Sequence, residues 1–125
     1  MNNQEIFDTI VDHLYKQQVA SVDTFKHCQY RGENGTSCAV GCLIKDEFYD
    51  PMFEGDGAAD STVVTMLEQS LDQKLSNKTI SLLEDLQTVH DRYLTFFSKY
   101  SRDLEEKLKE VAKDLDLVFK SRLND

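Results

Sequence analysis

A predominantly helical α+β fold is what this sequence of 125 residues predicts, on three observations. Apolar residues recur at helical spacing near the start of the chain and again over its second half. Between them a short alternating run, Cys28-Gln29-Tyr30-Arg31, meets Gly32-Glu33-Asn34-Gly35, residues that tolerate the positive φ of a hairpin turn. At 40% hydrophobic the chain can bury a core without cross-links, so one domain over residues 1–125 is expected.

The first element is an amphipathic helix over residues 4–18, with Ile6, Phe7, Ile10, Val11 and Leu14 on its apolar stripe and Asn3 as its cap. A β-hairpin block over about residues 28–38 follows, its return strand running through Thr36-Ser37-Cys38. Ala39 to Ile44 suits a short buried helical turn, and Asp46 suits a cap for a second turn before Pro51. Residues 54–60 are Gly, Asp and Ala without period, hence a surface loop. Helix returns behind Asp60 or Ser61 with Val63, Val64, Leu67, Leu71 and Leu75 on one side, and Ser76-Asn77 punctuates it.

From there Leu82, Leu86, Val89, Tyr93, Phe96 and Tyr100 step by alternating four and three, the seam of a helix packed lengthwise on another. Leu104, Leu108, Val111, Leu115 and Val118 continue the stripe after a stutter. Two outcomes are open: one long C-terminal helix, or a helical hairpin broken near residues 98–103, where Ser101 or Asp103 can cap and Glu106 can complete a capping box. We favour the break, because an unbroken helix would need a partner chain over its apolar stripe. Residues 101–125 are then a helical extension of the domain.

A net charge of −9 disfavours direct nucleic-acid binding, which draws on Lys and Arg to neutralise phosphates, and it repels anionic membranes. It suits a basic protein partner. The apolar runs are too short to span a bilayer, the opening residues have no basic flank, and three cysteines are an odd number; a cytoplasmic protein with reduced thiols is the expectation.

Three constellations invite chemistry. His27, Cys28, Cys38 and Cys42 supply the donors of a zinc site, but there is no CxxC pair, and neighbours 27 and 28 point to opposite faces of a regular strand; small core cysteines are the ordinary reading. Cys38 at the start of a helical turn, with His90 as base and Asp91 as orienter, sketches a cysteine nucleophile, although nothing in the sequence brings His90 to the hairpin. Tyr30 and Arg31 beside the turn, with Glu47, form a candidate small-ligand site, in competition with Arg31 pairing to a local acid such as Asp46. Asp50, Glu54, Asp56 and Asp60 lack the order of an EF-hand, and there is no dinucleotide fingerprint, phosphate loop, nucleophile elbow or HExxH.

EIFDTIVDHLYKQ, CQYRGENGTSCAVGCLIKDEFYDPMFEG and LLEDLQTVHDRY together resemble a group of small uncharacterised proteins of bacteria and bacteriophages. That group has a C-x-YRG-x-x-G-x-x-CAVG-x-LI-x-DE-x-Y block and a later LQ-x-x-HD helix. The likeness spans roughly residues 4–93 and rests on Tyr30, Arg31, Gly32, Cys38, Gly41, Asp46, Glu47, Tyr49, His90 and Asp91. It departs in Lys45, where proline is frequent, and in the longer charged C-terminal helix. The resemblance implies a viral or bacterial setting and no mechanism. The function expected is therefore a non-enzymatic accessory protein that binds a protein partner, a host enzyme or defence component being one kind. Self-association through Tyr93, Phe96, Tyr100, Leu104, Leu108 and Leu115 goes with it. A zinc or small-ligand binder centred on residues 27–49 is the first alternative, and the Cys38–His90 enzyme the second.

Overall fold

The computed structural model describes residues 1–25, 27–94 and 102–122. Among these residues there are four α-helices, α1 (Asn3–Gln17), α2 (Ser61–Leu71), α3 (Asn77–Val89) and α4 (Arg102–Asp114), with α3 running on into a π-type turn, His90–Leu94. Among the described residues no helix is long and apolar enough to cross a membrane.

The cap of α1 lies one residue earlier than predicted. Asn2 Oδ1 accepts from the Glu5 N–H and the Glu5 carboxylate accepts from the Asn2 N–H, a complete capping box. Asn3 is thereby left to take the Thr79 hydroxyl at 2.6 Å, which ties α1 to α3. The predicted apolar stripe is the buried one: Ile6, Phe7, Ile10, Val11 and Leu14, with Tyr15. α2 stops at Leu71, short of Leu75, where Asp72 turns left-handed at φ 53°. Asp60 precedes it without capping, its carboxylate accepting instead from the Gly57 N–H. Ser76 does cap α3, accepting from the Thr79 N–H.

α3 and α4 pack on each other. Leu82, Leu83, Leu86 and Val89 of α3 and Leu104, Leu108, Val111 and Ala112 of α4 enter one core with α1, α2 and residues 38–44. Fully burying a Leu or Ile side chain contributes about 1.5–3 kcal/mol, so these helices carry most of the stability. Leu104 and Leu108, predicted as an association surface, are fully buried within the chain, while Tyr93 and Leu115 are half-buried against the same core. Phe96 and Tyr100, and residues 98–101 of the predicted break, lie outside the described residues. α4 begins at Arg102, so Asp103 sits in its first turn rather than before it. The helix ends at Asp114; residues 117–122 are not helical, and the extension predicted over residues 101–125 is shorter accordingly.

The β-hairpin is the main correction. Among the described residues there is no strand, only two isolated antiparallel bridges, Val22 with Cys28 and Arg31 with Ser37. The turn itself has the predicted character: Asn34 and Gly35 both adopt positive φ, within a single 3₁₀ turn, Glu33–Gly35. What is missing is the ladder. The Tyr30 and Arg31 N–H groups both donate to the carboxylate of Glu54, and the Cys38 carbonyl already accepts from Cys42 in the next turn. Asp46 likewise lies inside its 3₁₀ turn, Asp46–Phe48, with Lys45 preceding.

Side chains from three helices take the place of strand pairing. Gln17 of α1 clamps the Ser37 peptide at both its N–H and C=O, and His13 reaches the same carbonyl at 2.7 Å. Ser70 of α2 accepts from the Lys45 N–H, and Gln87 of α3 accepts from the Val40 N–H. These backbone groups of an irregular segment thus find partners in helix side chains, as burial requires.

Candidate binding site

Glu54 organises the region the sequence singled out. Its Oε1 accepts from the Tyr30 N–H at 2.7 Å, and its Oε2 accepts from the Arg31 N–H at 3.0 Å and the Tyr49 hydroxyl at 2.5 Å. The Tyr30 hydroxyl donates to the Asp56 carbonyl. These bonds dock the 54–58 loop onto residues 28–31 and leave a cleft of ≈ 170 Å³ between them, with Gln87 and Asp91 also lining it. Three of its lining side chains are carboxylates, Glu54, Asp56 and Asp91, and one is the thiol of Cys28.

His90 is fully buried beside this cleft. An i→i+5 turn holds one residue more than an α-turn, and it is at this turn that His90, which the periodicity left on the flank of the seam, faces fully inward. Its Nε2 lies 2.9 Å from the Ser21 backbone N–H, which can only donate. Nε2 must therefore accept, the proton sits on Nδ1, and Nδ1 donates to Asp91 Oδ1 at 2.8 Å. Gln87 donates to the same oxygen. The imidazole is a neutral strut between residues 19–22 and the end of α3.

The sequence expectations for this region divide accordingly. Of the zinc set, His27 is exposed and faces Asp23 at 3.5 Å, Cys38 is in the core with its sulfur accepting from the Gly41 N–H, and Cys42 donates to the Ala39 carbonyl. Burial pushes the Cys38 thiol well up, and the Cys42 thiol up to about 12, which opposes an activated thiolate at either position. Among the described residues a different trio gathers: the ligand atoms of Cys28, His90 and Asp91 lie within 4.8 Å of one another. The thiol in that trio belongs to Cys28 and not to Cys38. A cation bound through Nε2 would have to displace the Ser21 N–H, and one bound through Nδ1 would have to displace its proton. The hydrogen bonding therefore does not fit a metal ligand at His90, and it leaves no free lone pair to act as a base.

Tyr30 and Arg31 are also structural. Tyr30 is buried; burial, together with the nearby Cys38 and acidic groups, raises its phenol. Arg31 donates to the Ile44 carbonyl at 2.8 Å, pairs with Asp46 at 2.6 Å and stacks over the Tyr49 ring at 4.4 Å. The local acid foreseen as its competitor holds it. Glu47 is exposed on the adjoining turn. Each acid of the 50–60 loop has its own partner as well: Asp50 caps the Pro51–Phe53 turn, Asp56 accepts from the Thr62 hydroxyl, and Asp60 accepts from Gly57.

Two residues that the sequence reading did not mark stand out. Phe25 is 79% exposed and Met52 is 78% exposed. Phe25 lies three residues before Cys28, on a turn that Asp23 closes by accepting from the Phe25 and His27 N–H groups. Met52 lies two residues before Glu54, on the turn capped by Asp50. The His27 N–H bond holds the Asp23 carboxyl below its usual range. Nothing in local periodicity distinguishes such a residue from a core one. Comparison of the chain with protein-family models, with curated proteins and with solved structures gives no match.

Proposed function

We propose that this chain acts by binding a basic protein partner through the turns that carry Phe25 and Met52 and the acidic cleft beside them. The observation that carries the reading is the pair of large apolar side chains held out to solvent on turns that aspartates close. Apolar anchors fixed in place, with charge around them, are what a protein interface uses. The acidic cleft and the −9 charge complement a partner rich in Lys and Arg. The resemblance to bacterial and bacteriophage proteins makes a host enzyme or defence component in the cytoplasm the kind of partner to look for, and a nucleic-acid-binding groove is one basic surface such a protein can occupy. No catalytic role is assigned in this reading.

Affinity capture from bacterial lysate with two baits tests it, wild type against Phe25→Ser/Met52→Ser. Both substitutions are at exposed positions and should leave melting unchanged within about 0.5 kcal/mol. A basic protein retained by wild type and lost from the double variant is the expected result. The same proteins on both baits would refute the surface.

A further inference from the structure

After α4 the Leu117 N–H returns to the Ala112 carbonyl at 2.7 Å, with Asp116 left-handed at φ 55°, and this helix stop sends residues 117–122 over α1. The segment reads Leu-Val-Phe-Lys-Ser-Arg, two cations and no acid in a chain of net charge −9. Gln4 clamps the Val118 peptide from both sides, donating to its carbonyl and accepting from its N–H, each at 2.9 Å. Phe119 meets Phe7 edge to face, with centroids 6.4 Å apart. Arg122 Nε donates to Asp12 at 2.8 Å, and its Nη2 lies 3.5 Å from Asp8.

Gln4, Asp8 and Asp12 recur every fourth residue and form one stripe of α1. An extended chain from 118 to 122 advances about 13 Å, and eight helical residues from 4 to 12 advance about 12 Å, so the tail and the stripe stay in step. Among the described residues no backbone-to-backbone hydrogen bond joins the tail to α1. Side chains of α1 read a peptide group, then an aromatic ring, then a guanidinium, which is how a groove reads an extended peptide.

We propose that this stripe of α1 is a peptide-recognition groove kept closed by the chain's own tail. In trans it takes an extended segment of a partner protein with an aromatic residue followed three positions later by an arginine. The chemistry of the occupant comes from the segment now seated there and from the carboxylates of Asp8 and Asp12. It does not depend on the acidic cleft. A tethered tail acts at an effective concentration of about millimolar, so a free segment gains access when the tail's own contacts are weakened or when it binds more tightly.

The test titrates a synthetic peptide of residues 117–122 into ¹⁵N-labelled full-length protein, wild type and Phe119→Ala/Arg122→Ala. In the double variant the amides of Gln4, Phe7, Asp8 and Asp12 should shift saturably, while the wild type responds at least ~10-fold more weakly because its tail is in place. A peptide with its Phe and Arg replaced by Ala should shift none of them. If the double variant loses the dispersion of a folded spectrum, Arg122→Ala alone, which removes the ion pairs to Asp8 and Asp12 and the guanidinium over the Phe119 ring but keeps the Phe7–Phe119 contact, carries the same comparison. A folded variant that stays silent up to about 1 mM peptide, or a wild type that responds equally, overturns the proposal. So does a concentration-dependent doubling of wild-type mass that Arg122→Ala abolishes, since the occupant would then be the tail of a second copy.

Discussion

A methyl group added at Gly41 would stand 2.0 Å from the Tyr30 carbonyl oxygen. That peptide cannot retreat, because its carbonyl accepts from the Cys38 N–H while the Tyr30 N–H and hydroxyl are held by Glu54 and by the Asp56 carbonyl. Gly41 is thus required for close approach of two backbone segments. Gly41→Ala should cost about 3 kcal/mol or more, seen as a fall in the urea midpoint, because a rigid contact and not a flexible side chain opposes it. Gly57→Ala is the control: nothing lies within 4 Å of its added carbon, and its midpoint should move by less than about 0.5 kcal/mol. An equal response at both positions would mean that the 28–44 segment yields more readily than its bonding implies. Arg31 belongs to the same tightly tied region. With two hydrogen-bonding partners and a ring beneath it, it keeps the 44–49 turns against Tyr30.

The helices were legible because a 3.6-residue period survives in one dimension: the stripes of α1 and α3 are buried along the positions the spacing marks, whereas in α2 only Val63 and Leu67 of the marked positions are buried, beside Met66 and Ser70. The hairpin was misread because its alternation is also local, while the carboxylate that takes its backbone donors stands at Glu54, more than twenty residues away. Part of the site was legible for a similar reason. Asp91 does orient His90, its sequence neighbour, but the choice of Cys28 over Cys38 and the capture of Nε2 by Ser21 are long-range facts without a local signature. The apolar stripe of α4 is a packing surface, and its Leu104 and Leu108 are buried within this chain. Leu108 is covered by this chain itself, so Leu108→Asp should unfold it instead of dissolving an assembly. Burying an unpaired carboxylate there should cost several kcal/mol and lower the melting temperature by more than about 10 °C in circular dichroism. Val118→Asp, at an exposed position, should leave it nearly unchanged. A folded Leu108→Asp protein of smaller mass would instead favour an assembly.

Over the whole molecule the balance of charge sets a further expectation. The chain carries 23 acids against 14 Lys and Arg. The ion pairs among the described residues each have at least one exposed partner, as in Arg31–Asp46, where the Asp46 side chain is 95% exposed, and a pair open to solvent in this way contributes at most about 1 kcal/mol. Repulsion among the surplus carboxylates acts across the entire surface and opposes compaction. Raising NaCl from about 10 mM to about 150 mM shortens the screening length from roughly 30 Å to roughly 8 Å, so it weakens this long-range repulsion more than the contacts within 3–4 Å. The melting temperature should therefore rise by a few degrees over that range. The Arg122 contacts with Asp8 and Asp12 should loosen at the same time, because they attract where the rest of the surface repels. Global melting followed by circular dichroism and the Val118 amide followed by NMR would then move in opposite senses with salt. A melting temperature that falls with salt would show that the few exposed pairs outweigh the net charge.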